Sequence, residues 1–122
     1  MARISVEELN ALMQQGQHAP VILDVRPPSL ALRGHIPGAI VTSLDELDEF
    51  VGHLPRNEEV IVYCNCPNEA SAALVARALM DRGFQKVRPL RGGLEAWIDS
   101  GFAIDEGKLT PPSSLLDVAG GV

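Results

Sequence analysis

The sequence predicts an α/β domain of three layers, α/β/α, around a mostly parallel central sheet. Three observations predict it. Val21-Ile22-Leu23-Asp24-Val25 and Val60-Ile61-Val62-Tyr63 are near-continuous apolar runs, the pattern of strands buried on both faces. Segments with helical spacing and helix-start signals lie between and around them. The two kinds of segment alternate along the chain, which for buried strands means right-handed crossovers and helices packed against the sheet.

The elements follow in order. Ser5-Val6-Glu7-Glu8 is a capping box, and Leu9, Leu12 and Met13 give an apolar stripe that stops at Gly16. The first strand, at 21–25, is bounded by Pro20 and Pro27-Pro28. Residues 29–33 predict a short helical turn, and Gly34-His35-Ile36-Pro37-Gly38 is turn chemistry. A brief extended piece, Ala39-Ile40-Val41, precedes a second capping box, Ser43 with Glu46, and a helix to about Gly52.

Leu54-Pro55-Arg56-Asn57 is a loop before the strand at 60–63. Ser71 is expected to cap a helix running through Arg82, with Leu74, Val75, Ala78 and Leu79 on its apolar face and Gly83 at C′. Lys86-Val87-Arg88-Pro89-Leu90 predicts a further strand, where Pro89 fits only an end or an edge. Gly92-Gly93 turns the chain into a last helix, Leu94 to Ser100, ended by Gly101. Residues 103–122 carry Asp105-Glu106-Gly107, Pro111-Pro112-Ser113-Ser114 and Gly120-Gly121 and are expected to form a loose C-terminal tail, leaving 1–102 as the domain. No internal repeat or low-complexity stretch is present.

Composition narrows the function classes. A chain of 122 residues has room for one core, and with aromatics at 4% that core is built from Leu, Val, Ile and Ala. A net charge of -6 argues against nucleic acid and against anionic membrane surfaces, both of which call for clustered Lys and Arg. No apolar run approaches the ~20 residues that cross a bilayer. The N-terminus reads as an ordinary helix without a signal-peptide core, so a cytoplasmic location is the default expectation.

The cysteines, Cys64 and Cys66, are the only two, separated by one residue. A structural disulfide framework uses more cysteines at wider spacing, and a bridge between these two would close a strained ring. Zinc wants about four ligands, and His18, His35 and His53 show no finger-like spacing to the pair, so no metal is expected. Buried thiols or reactive thiols remain. Cys64 stands where a buried strand surfaces and a helix begins a few residues later. Unsatisfied amides and the positive end of the helix dipole favour a thiolate there, as does a nest of loop amides. A small buried hydrophobe is the competing reading of the same residue.

Five pieces carry a resemblance: Leu23-Asp24-Val25-Arg26, Gly34-His35-Ile36-Pro37-Gly38-Ala39, Tyr63-Cys64, Arg82-Gly83-Phe84 and Leu90-Arg91-Gly92-Gly93-Leu94-Glu95-Ala96-Trp97. In this order and spacing the chain resembles the rhodanese (sulfurtransferase) superfamily over roughly residues 4–102. The resemblance implies a cysteine heading an active-site loop and ping-pong transfer of sulfane sulfur through a cysteine persulfide, without a cofactor. It implies as partners a small sulfur donor such as thiosulfate or a persulfide, and a thiol, cyanide-type or protein-carrier acceptor. Asp24 and Arg26 are expected to lock the first loop by polar contacts, with orienting the active-site loop as the alternative, His35 to stabilise its turn, and Trp97 to fill the core. The acidic group Asp45, Glu46, Asp48 and Glu49 reads as a solvated helix face.

The loop departs from the family pattern, roughly Cys-x-x-Gly-x-Arg-Ser. Here it reads Cys64-Asn65-Cys66-Pro67-Asn68-Glu69-Ala70-Ser71. Pro67 removes an amide from the cradle, and Glu69 puts a negative charge where an arginine is usual. The form resembles rhodanese domains fused to DedA-like membrane proteins, which would make this chain one domain of a longer protein. The nucleophile is ambiguous as well. Six residues separate Cys64 from Ser71 and four separate Cys66 from it, where the family has five. Strand-end geometry favours Cys64, with Cys66 resolving or relaying the persulfide.

A sulfurtransferase is therefore the leading expectation, with weak use of thiosulfate and better use of a less charged persulfide. A non-catalytic binding or regulatory module is the alternative. Phosphatase or arsenate reductase chemistry ranks last. It uses a Cys-x5-Arg loop, whereas Ala70 and Ala72 stand six past the two cysteines.

Overall fold

A computed structural model describes residues 2–15, 18–65 and 67–116, the side chain of Pro67 excepted. Nine elements alternate: α1 Val6–Gln14, β1 Val21–Asp24, α2 Pro28–Ala31, β2 Ile40–Val41, α3 Leu44–Phe50, β3 Glu59–Tyr63, α4 Ala70–Asp81, β4 Lys86–Pro89 and α5 Gly93–Asp99. The four strands form one parallel sheet in the order β2-β1-β3-β4. From β1 the chain moves to one side of the sheet, and from β3 to the other. The carboxyl ends of β1 and β3 therefore flank the switch point, where open α/β sheets place ligands.

Side chains on the two faces enter separate cores, as alternation along a strand requires. Val21, Leu23, Val60, Val62 and Cys64 join Leu47 and the α4 residues Ala72, Val75, Ala76 and Leu79. Ile22, Ile61 and Tyr63 join Val6 and Leu9 of α1 with Leu94 and Trp97 of α5. This is the expected three-layer arrangement. Trp97 is buried, its ring N–H donating to the Ala103 carbonyl at 2.9 Å.

The local signals are realised unevenly. At α1 the capping box is complete, Ser5 Oγ accepting from Glu8 N at 3.0 Å and Glu8 Oε1 from Ser5 N at 3.1 Å. The Ser5 amide and hydroxyl hold the Glu8 carboxyl below its ordinary pKa. At α3, Ser43 Oγ accepts from Glu46 N at 3.4 Å and donates to Glu46 Oε1 at 3.2 Å, so the reciprocal backbone bond gives way to a side-chain one. Gly83 ends α4 as expected, with φ +94° and amide bonds from Gly83 to Met80 O and from Phe84 to Leu79 O, a Schellman motif.

Three expectations are corrected. Ser71 does not cap α4; the helix starts at Ala70 from Glu69, whose left-handed backbone delivers the chain directly into the first turn. The buried stripe of α4 is Ala72, Val75, Ala76 and Leu79, spaced i, i+3, i+4, i+7, which turns Leu74 to the opposite face at 61% exposure. The loose tail is corrected through residue 116. Asp105 bridges His35, Thr110 bridges Ile40 beside β2, and Leu115 is fully buried among the α3–α4 core residues. The two-residue strand β2 leaves an open edge, and this segment covers it. On the far edge, Ile4 bridges Leu90 in the same way.

Candidate active site

Cys64 directly follows β3, at the switch point. Asp24 and Tyr63 stand opposite each other in the β1–β3 ladder, and the Val25 amide bonds to the Tyr63 carbonyl at 3.1 Å. The first loop after β1 and the cysteine loop after β3 thus leave the sheet side by side. Cys64 is 2% exposed and shares the core cluster that includes Ala72 in the first turn of α4. The loop that Cys64 heads leads into a 12-residue helix, whose free N-terminal amides and dipole favour an anion close by. Cys66 lies outside the described residues.

The loop reaches α4 through a turn of 3₁₀ type at Pro67–Glu69. Asn68 (φ 56°, ψ 27°) and Glu69 (φ 54°, ψ 36°) are both left-handed, and they are the only non-glycine residues with positive φ among those described. Asn accepts this conformation readily. Glu does so at a cost of about 1 kcal/mol, which its surroundings must offset. Its side chain, 9% exposed, supplies the means: Oε1 accepts from Arg3 Nη1 at 2.7 Å, and Oε2 from the Gly92 amide at 3.4 Å. Asn65, Asn68 and Ala70 are exposed, and Ser71 is half-buried inside the first helical turn.

A second close approach fixes the start of the loop. Gly93 has φ +60°, and a Cβ there would lie 2.1 Å from the Cys64 carbonyl oxygen. Only glycine brings the α5 turn so near the cysteine peptide. The Gly92-Gly93 pair, legible in sequence only as a turn, touches both ends of the cysteine loop.

Asp24 and Arg26 sit at the end of β1, both buried. Arg26 Nε and Nη2 donate to Asp24 Oδ1 and Oδ2 at 3.0 and 2.7 Å, and Nη2 also reaches the Gly34 carbonyl at 2.6 Å. Burial opposes the guanidinium charge, but the Asp24 hydrogen bonds and charge outweigh it and raise the Arg26 pKa. Tyr63 links this pair to the cysteine, a role that no motif in the sequence marks. Its hydroxyl donates to Asp24 Oδ2 at 2.7 Å and accepts from the Ile36 amide at 3.1 Å, with the Arg26 guanidinium 5.6 Å from its ring centre. Burial first, then the Asp24 charge, drive the Tyr63 pKa far upward. His35 stabilises its turn as expected, Nδ1 donating to the Ala31 carbonyl at 2.9 Å. The one signal for Tyr63 was position: a phenol adjoining Cys64 and opposite a buried aspartate.

Beside the loop opens a depression of about 270 Å³ lined by Arg3, Asn68, Glu69, Ala73 and Pro89. No group of three or more potential metal ligands occurs among the described residues. None of the described helices is long and apolar enough to cross a membrane.

A parallel α/β domain with a cysteine heading the loop at its switch point is a defined class of protein. A model of the rhodanese-like domain matches residues 5–100, and the chain belongs to that family. Among solved structures it is similar to the Alr3790 protein from Anabaena sp., with 29% identity, a TM-score of 0.75, and 84% of this chain and 81% of that one covered. A rhodanese-related protein from Thermoplasma volcanium matches at 26% identity and TM-score 0.71, over 86% of this chain and 98% of that one. A thiosulfate sulfurtransferase from Pseudomonas aeruginosa matches at 26% identity and TM-score 0.74, over 88% of this chain but 20% of its own length.

Proposed function

We propose that this domain is a sulfurtransferase that moves sulfane sulfur through a persulfide on Cys64. The observation that carries the reading is the position of Cys64, directly after β3 at the switch point and heading the loop that leads into α4. The Cys64 thiolate attacks the outer sulfur of the donor; the donor's sulfur–sulfur bond breaks and the remainder leaves with the electron pair, as sulfite from thiosulfate or as a thiolate from a persulfide. An acceptor thiolate then attacks the terminal sulfur, leaving as a persulfide and regenerating the Cys64 thiolate. Cys66 is assigned the relay or resolving role.

The preferred donor is a small persulfide or a protein sulfur carrier. The residues after Cys64, Asn65 to Ser71, contain no arginine to clamp a dianion. Glu69 is a weaker reason than the sequence alone suggests, since Arg3 pairs its charge. A cytoplasmic setting suits this chemistry, keeping the thiols reduced and supplying acceptors.

The test is mass-spectrometric mapping of sulfur adducts after exposure to thiosulfate or a persulfide donor, on wild type, Cys64→Ser and Cys66→Ser. One added sulfur on Cys64, lost in Cys64→Ser, is the expected result. The 2% exposure of Cys64 favours the second reading, a binding module in which this cysteine is a core residue. No adduct on either cysteine with any donor decides for that reading.

A further inference from the structure

We infer that Arg3 and Glu69 are positioning residues, a latch that holds the cysteine loop in register with Cys64 from outside the loop sequence. This rests on the reading of Cys64 as the sulfur-carrying thiol. Four observations converge. The loop enters α4 through two consecutive left-handed residues, the second a glutamate, a conformation that local preference does not maintain. The Glu69 carboxylate, which could cap the helix it precedes, makes no capping bond and turns to Arg3 and the Gly92 amide instead.

Arg3 is itself anchored, because Ile4 bonds to the Pro89 carbonyl at 3.0 Å and accepts from the Arg91 amide at 2.9 Å. The latch therefore joins the loop to the 89–92 segment by two routes. Finally, the neighbouring Gly93 packs on the Cys64 carbonyl so closely that a Cβ would come within 2.1 Å. One turn, 92–93, thus meets the loop at both ends, directly at Cys64 and through the glutamate at residue 69. A glutamate fastens the loop to the frame.

The latch predicts a division of effects. Releasing Glu69 frees the far end of the loop, so an almost buried thiol becomes easier to reach, while the loop backbone that must surround a developing persulfide loses its order. The experiment measures iodoacetamide modification of Cys64 in the native full chain, with adducts on Cys64 and Cys66 separated by fragment-ion mapping. It compares wild type, Arg3→Gln, Glu69→Gln, the double variant and Arg3→Lys, with melting temperature and sulfur-transfer kinetics measured alongside. Each Gln variant is expected to raise the Cys64 modification rate about tenfold and to lower kcat of transfer by a similar factor with little change in KM, the change expected on losing one charge-assisted contact. The double variant should do no more than either single one, and Arg3→Lys should restore most of the loss.

Unchanged modification rates in both Gln variants would overturn the latch, as would effects of the two that multiply. Arg3, with its side chain 44% exposed, can be replaced without threat to folding, so a null result there is decisive. If wild type accepts sulfur from no donor, the sulfurtransferase reading fails, yet the iodoacetamide rates still decide the latch.

Discussion

Replacing Tyr63 by Phe removes one oxygen from the centre of the site's support and leaves the ring in place. That oxygen makes two bonds in a fully buried setting: it donates to Asp24 Oδ2 at 2.7 Å and accepts from the Ile36 amide at 3.1 Å. Asp24 retains Arg26, so losing the first bond costs about 1.5 kcal/mol, the low end for a bond to a charged group. The Ile36 amide has no such reserve and is left buried without that partner, at about 1.5 kcal/mol more. The sum is about 3 kcal/mol. With a slope near ~1.5 kcal/mol per molar, the urea midpoint should fall by about 2 M at unchanged slope. Urea unfolding followed by Trp97 fluorescence measures it directly. A loss below about 1 kcal/mol would refute the reasoning, because it would mean that water replaces the hydroxyl and the Asp24–Tyr63–Ile36 contact is not sealed.

Asp24→Asn leaves the Arg26 guanidinium buried without its counter-charge and should cost about 4 kcal/mol in the same urea assay, against about 0.5 kcal/mol for Asp45→Asn on the exposed face of α3. Gly93→Ala should cost about 3 kcal/mol, since backbone strain adds to the contact with the Cys64 carbonyl; Gly101→Ala, also at positive φ but facing open space, should cost only about 1 kcal/mol. Leu115→Ala should lose about 3 kcal/mol if the segment beyond 102 is part of the core, whereas a thermal melt unchanged from wild type would return it to a tail. Tyr63 is the only tyrosine, and its raised pKa means that the fold favours the protonated phenol. Stability from this group is full below pH ~10 and is lost as pH rises beyond it, so phenolate absorbance should appear only together with unfolding.

The sheet was legible in the sequence because strands buried on both faces leave little choice of residue. The stretches 21–23 and 60–62 inside them are wholly apolar, and prolines at 20, 27 and 55 marked where the runs stop. The capping box at Ser5 and the glycine stop at Gly83 were legible for the same reason: each is a local bond with a fixed offset. What was not legible was long-range. Nothing in Arg3 announces that it will meet a residue 66 positions on, and nothing in Gly93 separates a tight turn from a glycine that must lie against a peptide oxygen. The segment 103–116 carries two prolines, two serines and a glycine, the residues of a linker, yet Leu115 fills the core, because the short β2 edge needed cover. At the loop itself, the cysteine's position after a strand was readable. The left-handed Glu69 was not, since glutamate has no preference for that conformation.

The latch also changes what the missing arginine means. A loop with glutamate in place of arginine reads from the sequence as a site repelling anions. In the folded domain the Glu69 charge is nearly buried and directed to Arg3, so the pair adds little net field of its own. On the proposed reading, a donor reaching Cys64 finds no arginine among residues 65–71 to grip two oxygens at once. Such a site stabilises a single negative charge on sulfur, the charge of a thiolate or a terminal persulfide, better than it holds a dianion. The proposed preference for a lightly charged donor then rests on the absence of a clamp rather than on repulsion. The two causes part under salt: repulsion by Glu69 would relax as ionic strength rises and improve thiosulfate turnover, while a missing clamp leaves it low throughout.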